Sequence, residues 1–150
     1  MNLIAPLLSD GGIVADQAFS SKKKLFEHAA DLFESLGGLK RQEVFDSLFE
    51  RERLGSTALG YGVAIPHGRI KSLKQAAGAF YRIRPPLEFD SPDGLPINLC
   101  FILLVPQDAN ELHLQILGEL AQMLGETGMR ERLLAAAPHE LHKLLTTWTP

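Results

Sequence analysis

The sequence predicts an α/β fold, a three-layer α/β/α domain around a mixed, mainly parallel sheet, and three observations carry that reading. Stretches with helical spacing alternate with strand-like stretches along the chain. The run Ile97–Val105 is apolar nearly throughout, as a central strand covered on both faces requires. No linker, internal repeat or low-complexity segment divides the 150 residues, so one domain over 1–150 is expected, large enough for a real core.

Residues 1–20 read as a lead-in with a short strand near Ile13-Val14. Ser20 or Ser21 caps a first helix that carries Leu25, Phe26, Ala29, Leu32, Phe33 and Leu36 at helical spacing, and Gly37-Gly38 ends it. Lys22, Lys23 and Lys24 fall in its first turn, where the helix dipole disfavours positive charge. They are either a solvated helix end or a patch for docking a partner. A second helix, about residues 40–53, buries Val44, Phe45, Leu48 and Phe49. The segment Gly55–Gly62 reads as a glycine- and hydroxyl-rich loop whose amides would form an anion-binding nest. It has no Gly-Lys-Ser/Thr before a helix, so it is no P-loop.

Val63-Ala64-Ile65 then reads as a strand ending at His67. Ala79–Ile83 alternates as another strand, and Pro85-Pro86, Asp90–Gly94 and Pro96 mark turns around it. After the central strand, Asp108 with Glu111 resembles a capping box that opens a helix through Leu124. Residues 128–136 and 138–147 complete the chain as two short helices.

Composition narrows the function classes. Hydrophobic content of 45% with 22% charged residues is that of a soluble globular chain. A net charge of −3 gives no reason to expect nucleic acid, which wants a basic face. Cys100 is the single cysteine, which excludes an intrachain disulfide and fits a reducing cytoplasm. Its place inside the apolar run predicts a buried, inert thiol. That run is too short to span a bilayer, and the N-terminus lacks a signal-peptide profile, so a cytoplasmic protein is expected.

The chemistry concentrates at Ile65-Pro66-His67-Gly68. Pro66 pushes Ile65 into extended geometry and has no N–H to donate, so ladder pairing should weaken where His67 begins. Gly68 lets the chain turn or lets another segment approach its backbone closely. The imidazole is thus held on a stiff support with Arg51 and Arg53 upstream and Arg69 and Lys71 downstream. Histidine near neutral pH serves as a base, a metal ligand or a phosphoryl acceptor, and the flanking cations favour the last.

His113 is the second candidate. It falls in the middle of the inward stripe Ile116, Leu117, Leu120 and Leu124, within the first turn of its helix. A histidine there is either a satisfied core residue or a donor facing a phosphate bound at free helix amides. Arg51 and Arg53 lie about 200° apart on their helix and flank its buried face on opposite sides, so periodicity does not choose between them. His139 and His142 stand i, i+3 with no cysteine or acidic cluster to complete a metal site, and they read, like His28, as solvated helix-face residues.

Two blocks resemble a known family. Arg51-Glu52-Arg53-Leu54-Gly55-Ser56-Thr57, Gly60 and Gly62–Gly68 are similar to the signature of enzyme IIA proteins of the mannitol/fructose type, from the bacterial phosphoenolpyruvate-dependent phosphotransferase system. Leu104-Val105-Pro106 with Leu112-His113-Leu114 resembles its second block, and the stand-alone length resembles the nitrogen-regulatory branch. Ala58 stands where the family often has glycine, and Tyr61 replaces a smaller or polar residue. The resemblance implies that His67 accepts a phosphoryl group, His113 supports it by a hydrogen bond and Arg51 stabilises the phosphate. It implies an HPr-like phosphocarrier as donor and, as regulated targets, potassium transport proteins or sensor kinases, with neither metal nor cofactor. The alternative within the family is the fructose or mannitol branch, which passes phosphate to a IIB component for sugar import.

Overall fold

A computed structural model describes residues 2–109 and 111–150. Two single turns of 3-10 helix, Ala5–Leu7 and Asp10–Gly12, lead into strand β1 (Ile13–Gln17). The first helix, α1 (Lys22–Gly37), is capped by Ser21, whose hydroxyl accepts a 3.1 Å hydrogen bond from the Lys24 amide. It stops at Gly38, which adopts a left-handed φ of 70°. Helix α2 (Arg41–Leu54) follows after a short turn and buries Val44 and Leu48, while Phe49 stays exposed.

The segment after α2 departs from the expected loop. Residues Ala58–Gly60 form β2, which pairs antiparallel with β3 (Val63–Ala64) across a two-residue turn. Tyr61 and Gly62 both have positive φ, the geometry that tight hairpin turns demand, and the Tyr61 amide donates to Asp93 at 2.8 Å. The nest does not form, because its amides are already committed. Gly55 N–H donates to the Glu52 carbonyl, Thr57 N–H to the Glu52 carboxylate and Ala58 N–H to Ser56 Oγ.

The ladder also differs at His67. It breaks at Ile65-Pro66 and resumes, with His67 as the first residue of β4 (His67–Ile70). Pro66 lacks only the donor; its carbonyl still accepts from the Leu103 amide at 2.9 Å, which keeps the chain alongside its neighbour. Strand β5 (Ala77–Leu87) likewise runs through Pro85-Pro86, which were expected to mark a turn. The register slips between Arg82 and Leu87, so the prolines occupy a bulge where no ladder N–H is required.

Strand β6 (Ile97–Pro106) is the centre of the sheet. One edge pairs antiparallel with β5, the other parallel with β3 and then β4. β1 lies parallel to β5, so the sheet is mixed, with three parallel pairings and two antiparallel ones. Helix α3 (Glu111–Gly125) opens at Glu111, later than the Asp108 cap predicts, and α4 (Thr127–Ala135) follows. The last expected helix divides into a 3-10 turn, Pro138–Glu140, and α5 (Leu141–Thr147).

Strand periodicity sorts the core into two layers. Ala64, Tyr81, Cys100, Ile102 and Leu104 meet α1 and α2 on one face. Val63, Ile65, Phe80, Phe101 and Leu103 meet α3, α4 and α5 on the other. Cys100 is fully buried, and burial pushes its thiol pKa well up, so it packs as a small apolar side chain.

Candidate functional site

His67 opens β4 beside Leu103 of β6, with Pro66 behind it and Gly68 ahead. Gly68 is required by contact: a Cβ there would run into Ser47 of α2, whose hydroxyl donates to the Arg69 carbonyl at 2.9 Å. That approach brings α2, and Arg51 on it, up to the histidine.

The ring of His67 is oriented by the backbone. Its Nδ1 lies 2.7 Å from the Ile65 carbonyl, which only accepts, so Nδ1 carries the proton and Nε2 keeps its lone pair. His113, in the first turn of α3, stands edge-on to it, ring centroids 5.5 Å apart and planes at 75°. The His113 ring is buried, and its Nδ1 has no hydrogen-bond partner among the described residues. An unpaired polar nitrogen in such a place is costly unless something arrives to bind it.

The two histidines line a cleft of about 370 Å³ together with Ser47, Glu50, Arg51, Leu54, Gly68 and Arg69. A second hollow of about 400 Å³ on the other side of His67 is bounded by Arg51, Leu59, Leu114 and Leu117. Leu54, Leu59 and Leu114 are strongly exposed around these openings. Scattered exposed leucines are ordinary, but three around one histidine form an apolar rim.

The structure separates the two arginines that periodicity leaves equivalent. Arg51 faces His67 and donates from Nη1 to the Gly55 carbonyl at 2.9 Å. Arg53 points away and pairs with Glu50 at 2.6 Å on the exposed face. Arg69 lines the cleft, whereas Lys71 is exposed beyond it.

Electrostatics disfavour the charged form of both rings. Burial lowers the His67 pKa below the usual histidine value; the Ile65 carbonyl opposes this, Arg51 lowers it further and Glu52 raises it. Burial, then the neighbouring His67 and Arg69, lower that of His113.

Glu52 is the residue that sequence reasoning misses. Its carboxylate is buried and accepts from the Thr57 hydroxyl at 2.6 Å, from the Thr57 amide at 3.2 Å and from Lys22 Nζ at 3.2 Å. This anchors the turn whose Gly55 carbonyl holds Arg51. The available signal was a carboxylate between two arginines that flank a buried helix face. Lys22 is accordingly neither a solvated end nor a free docking cation, since it also reaches the Phe89 carbonyl.

The remaining histidines are not simply solvated. His28 Nδ1 is 2.7 Å from the hydroxyl of buried Tyr81, because α1 lies directly over β5. His142 Nε2 donates to the Leu8 carbonyl at 2.8 Å, with its Nδ1 3.2 Å from Asp10. His139 is exposed. No helix among the described residues is long and apolar enough to cross a membrane.

Comparison with known proteins gives this geometry a context. Residues 6–148 match the family model described as phosphoenolpyruvate-dependent sugar phosphotransferase system, EIIA 2. A nitrogen regulatory protein of Bradyrhizobium diazoefficiens is 38% identical over 133 residues, 89% of this chain and 87% of that one. A fructose-specific EIIA component of Haloferax volcanii is 36% identical over 118 residues, 78% of this chain and 77% of that protein. The crystal structure of nitrogen regulatory protein IIA-Ntr from Neisseria meningitidis superposes with a TM-score of 0.91 at 48% identity, covering 97% of this chain and 100% of the other.

Proposed function

Because the chain belongs to the EIIA 2 family of the phosphoenolpyruvate-dependent sugar phosphotransferase system, alongside its nitrogen regulatory members, we propose that it carries a phosphoryl group on His67. The donor is the phosphohistidine of an HPr-like carrier, charged from phosphoenolpyruvate through enzyme I. The observation that carries this reading is the His67 ring itself, with Nδ1–H tied to Ile65 and Nε2 left as a nucleophile. The lone pair of Nε2 attacks phosphorus in line with the donor nitrogen; one P–N bond forms as the other breaks, and the electron pair leaves with the carrier ring. The other nitrogen of that ring carries a proton, so it departs as neutral imidazole, while His67 keeps its Nδ1–H and takes up the ring charge. No base is needed, because the attacking nitrogen is unprotonated. Arg51 and the His113 ring offer positive charge and a hydrogen bond to the equatorial oxygens of a loose transition state. The rim of Leu54, Leu59 and Leu114 gives the carrier an apolar seat that excludes water during transfer.

The output follows from the family branch: regulated targets, potassium transport proteins or sensor kinases, distinguish the charged from the uncharged form. The test is incubation with phosphoenolpyruvate, enzyme I and carrier, then mapping the modified residue under alkaline conditions. Acid-labile phosphate on His67, lost in His67→Ala, is the expected result. The fructose-specific relative supports a second reading, in which phosphate passes to a sugar-branch IIB component. Transfer to fructose- or mannitol-type IIB proteins distinguishes the two outputs.

A further inference from the structure

Arg69 stands two residues beyond His67 on β4, and its backbone is held from two sides. It is in register with Val105 of β6, and its carbonyl accepts from Ser47 of α2. From this base its Nη1 donates to two carbonyls at once, Gln107 at 2.7 Å and Ala109 at 2.8 Å. Both lie between β6 and α3, six and four residues before His113. The reach is long in sequence, 38 and 40 residues, and joins the strand of one histidine to the helix of the other.

His113 depends on such an anchor. Its Nδ1 has no partner among the described residues, so no hydrogen bond from any of them to that nitrogen orients the ring. The ring is carried edge-on to His67 by the first turn of α3. Farther along, α3 is secured by buried Ile116 and Leu120, but its leading turn exposes Leu112 and Leu114. The charge-assisted bonds from Arg69 are thus a direct tie between β4 and the chain that delivers His113.

We propose that Arg69 is a positioning residue for phosphoryl transfer: it clamps the β6–α3 segment to β4 and thereby sets His113 against His67. This rests on the reading of His67 as acceptor, and it makes Arg69 different in kind from Arg51. Arg51 faces the phosphate; Arg69 acts through another side chain. Arg69 is itself exposed, so its loss leaves both core layers intact.

A double-mutant cycle tests this. Arg69→Met is expected to slow single-turnover transfer from the phosphorylated carrier roughly tenfold or more, with half-saturation by carrier unchanged and the melting temperature close to wild type. In a His113→Ala background, Arg69→Met is expected to slow transfer no further, because its effect runs through the missing ring. An equal slowing in both backgrounds would overturn the proposal and make Arg69 a phosphate or carrier contact. The unphosphorylated protein supplies an independent readout: Arg69→Met should weaken the ring-to-ring nuclear Overhauser effect between His113 and His67, which loss of the Arg69 charge alone would not do. An unchanged ring-to-ring effect refutes the clamp even if His67 is the acceptor. Absence of label on wild-type His67, with a weakened ring-to-ring effect in Arg69→Met, refutes the acceptor reading and leaves the clamp standing. Arg69→Lys, which retains a multi-donor cation, should restore much of the rate.

Discussion

The imidazole of His113 lies edge-on to that of His67, with ring centroids 5.5 Å apart and planes 75° from parallel. The two rings come from elements distant in sequence, and the packing of α3 against β6 brings them together. His113 therefore lines the same cleft as His67. His113→Ala should slow transfer about tenfold to a hundredfold while leaving His67 able to accept phosphate, since in the proposed mechanism His67 alone is the nucleophile. Rapid-quench measurement of label transfer checks this; a wild-type rate would reduce His113 to core packing.

Arg51 and Arg53 differ in direction by the geometry of one helix. Arg51→Ala should slow transfer markedly, by about a hundredfold, as removal of one charge-stabilising donor does. Arg53→Ala loses only an exposed pair with Glu50 and should stay near wild type. The same single-turnover assay reads both, and the reverse order would reassign the site arginine.

Glu52 holds Thr57 and Lys22 from inside the fold. Glu52→Ala removes acceptors from a buried amide and hydroxyl and leaves Lys22 without its partner, so it should cost about 2 kcal/mol in urea unfolding. It should also slow transfer, because the Gly55 turn no longer steadies Arg51. Unaltered stability would show that the carboxylate is dispensable to the turn.

The histidines make stability depend on pH. His28, His67 and His113 all have folded pKa values below the ordinary 6.5, chiefly through burial. Between the folded value and 6.5 only the unfolded chain holds the proton, so stability falls as pH drops through that window. The lowered carboxyls of Asp16 and Asp93 act only below about pH 3.8 and do not enter it. The urea midpoint should therefore be lower at pH 5.5 than at pH 7.5, with a smaller difference in His113→Ala. Equal midpoints would contradict the buried, neutral rings.

Much of this fold is legible in the sequence because its signals are periodic or local. The Ile97–Val105 run declares a strand covered on both faces, and Ser21 and Gly38 bracket α1 through their own side chain and backbone. What is not legible depends on chains meeting. Gly55–Gly62 reads as a phosphate cradle until its amides are seen donating to Glu52, Ser56 and Asp93, and composition carries no trace of that. Pro66 reads as a strand end because a missing donor is visible in sequence, whereas the Leu103 amide that its carbonyl holds is not. Arg51 and Arg53 become distinguishable only once Gly68 admits α2 to the sheet.

The most direct measurement is nitrogen-15 and phosphorus-31 NMR of the protein after phosphorylation by its carrier. Phosphorus bonded to Nε2 of His67, with Nδ1–H retained against the Ile65 carbonyl, is the expected result. Phosphorus on Nδ1 of His67, or on any other residue, would contradict the account.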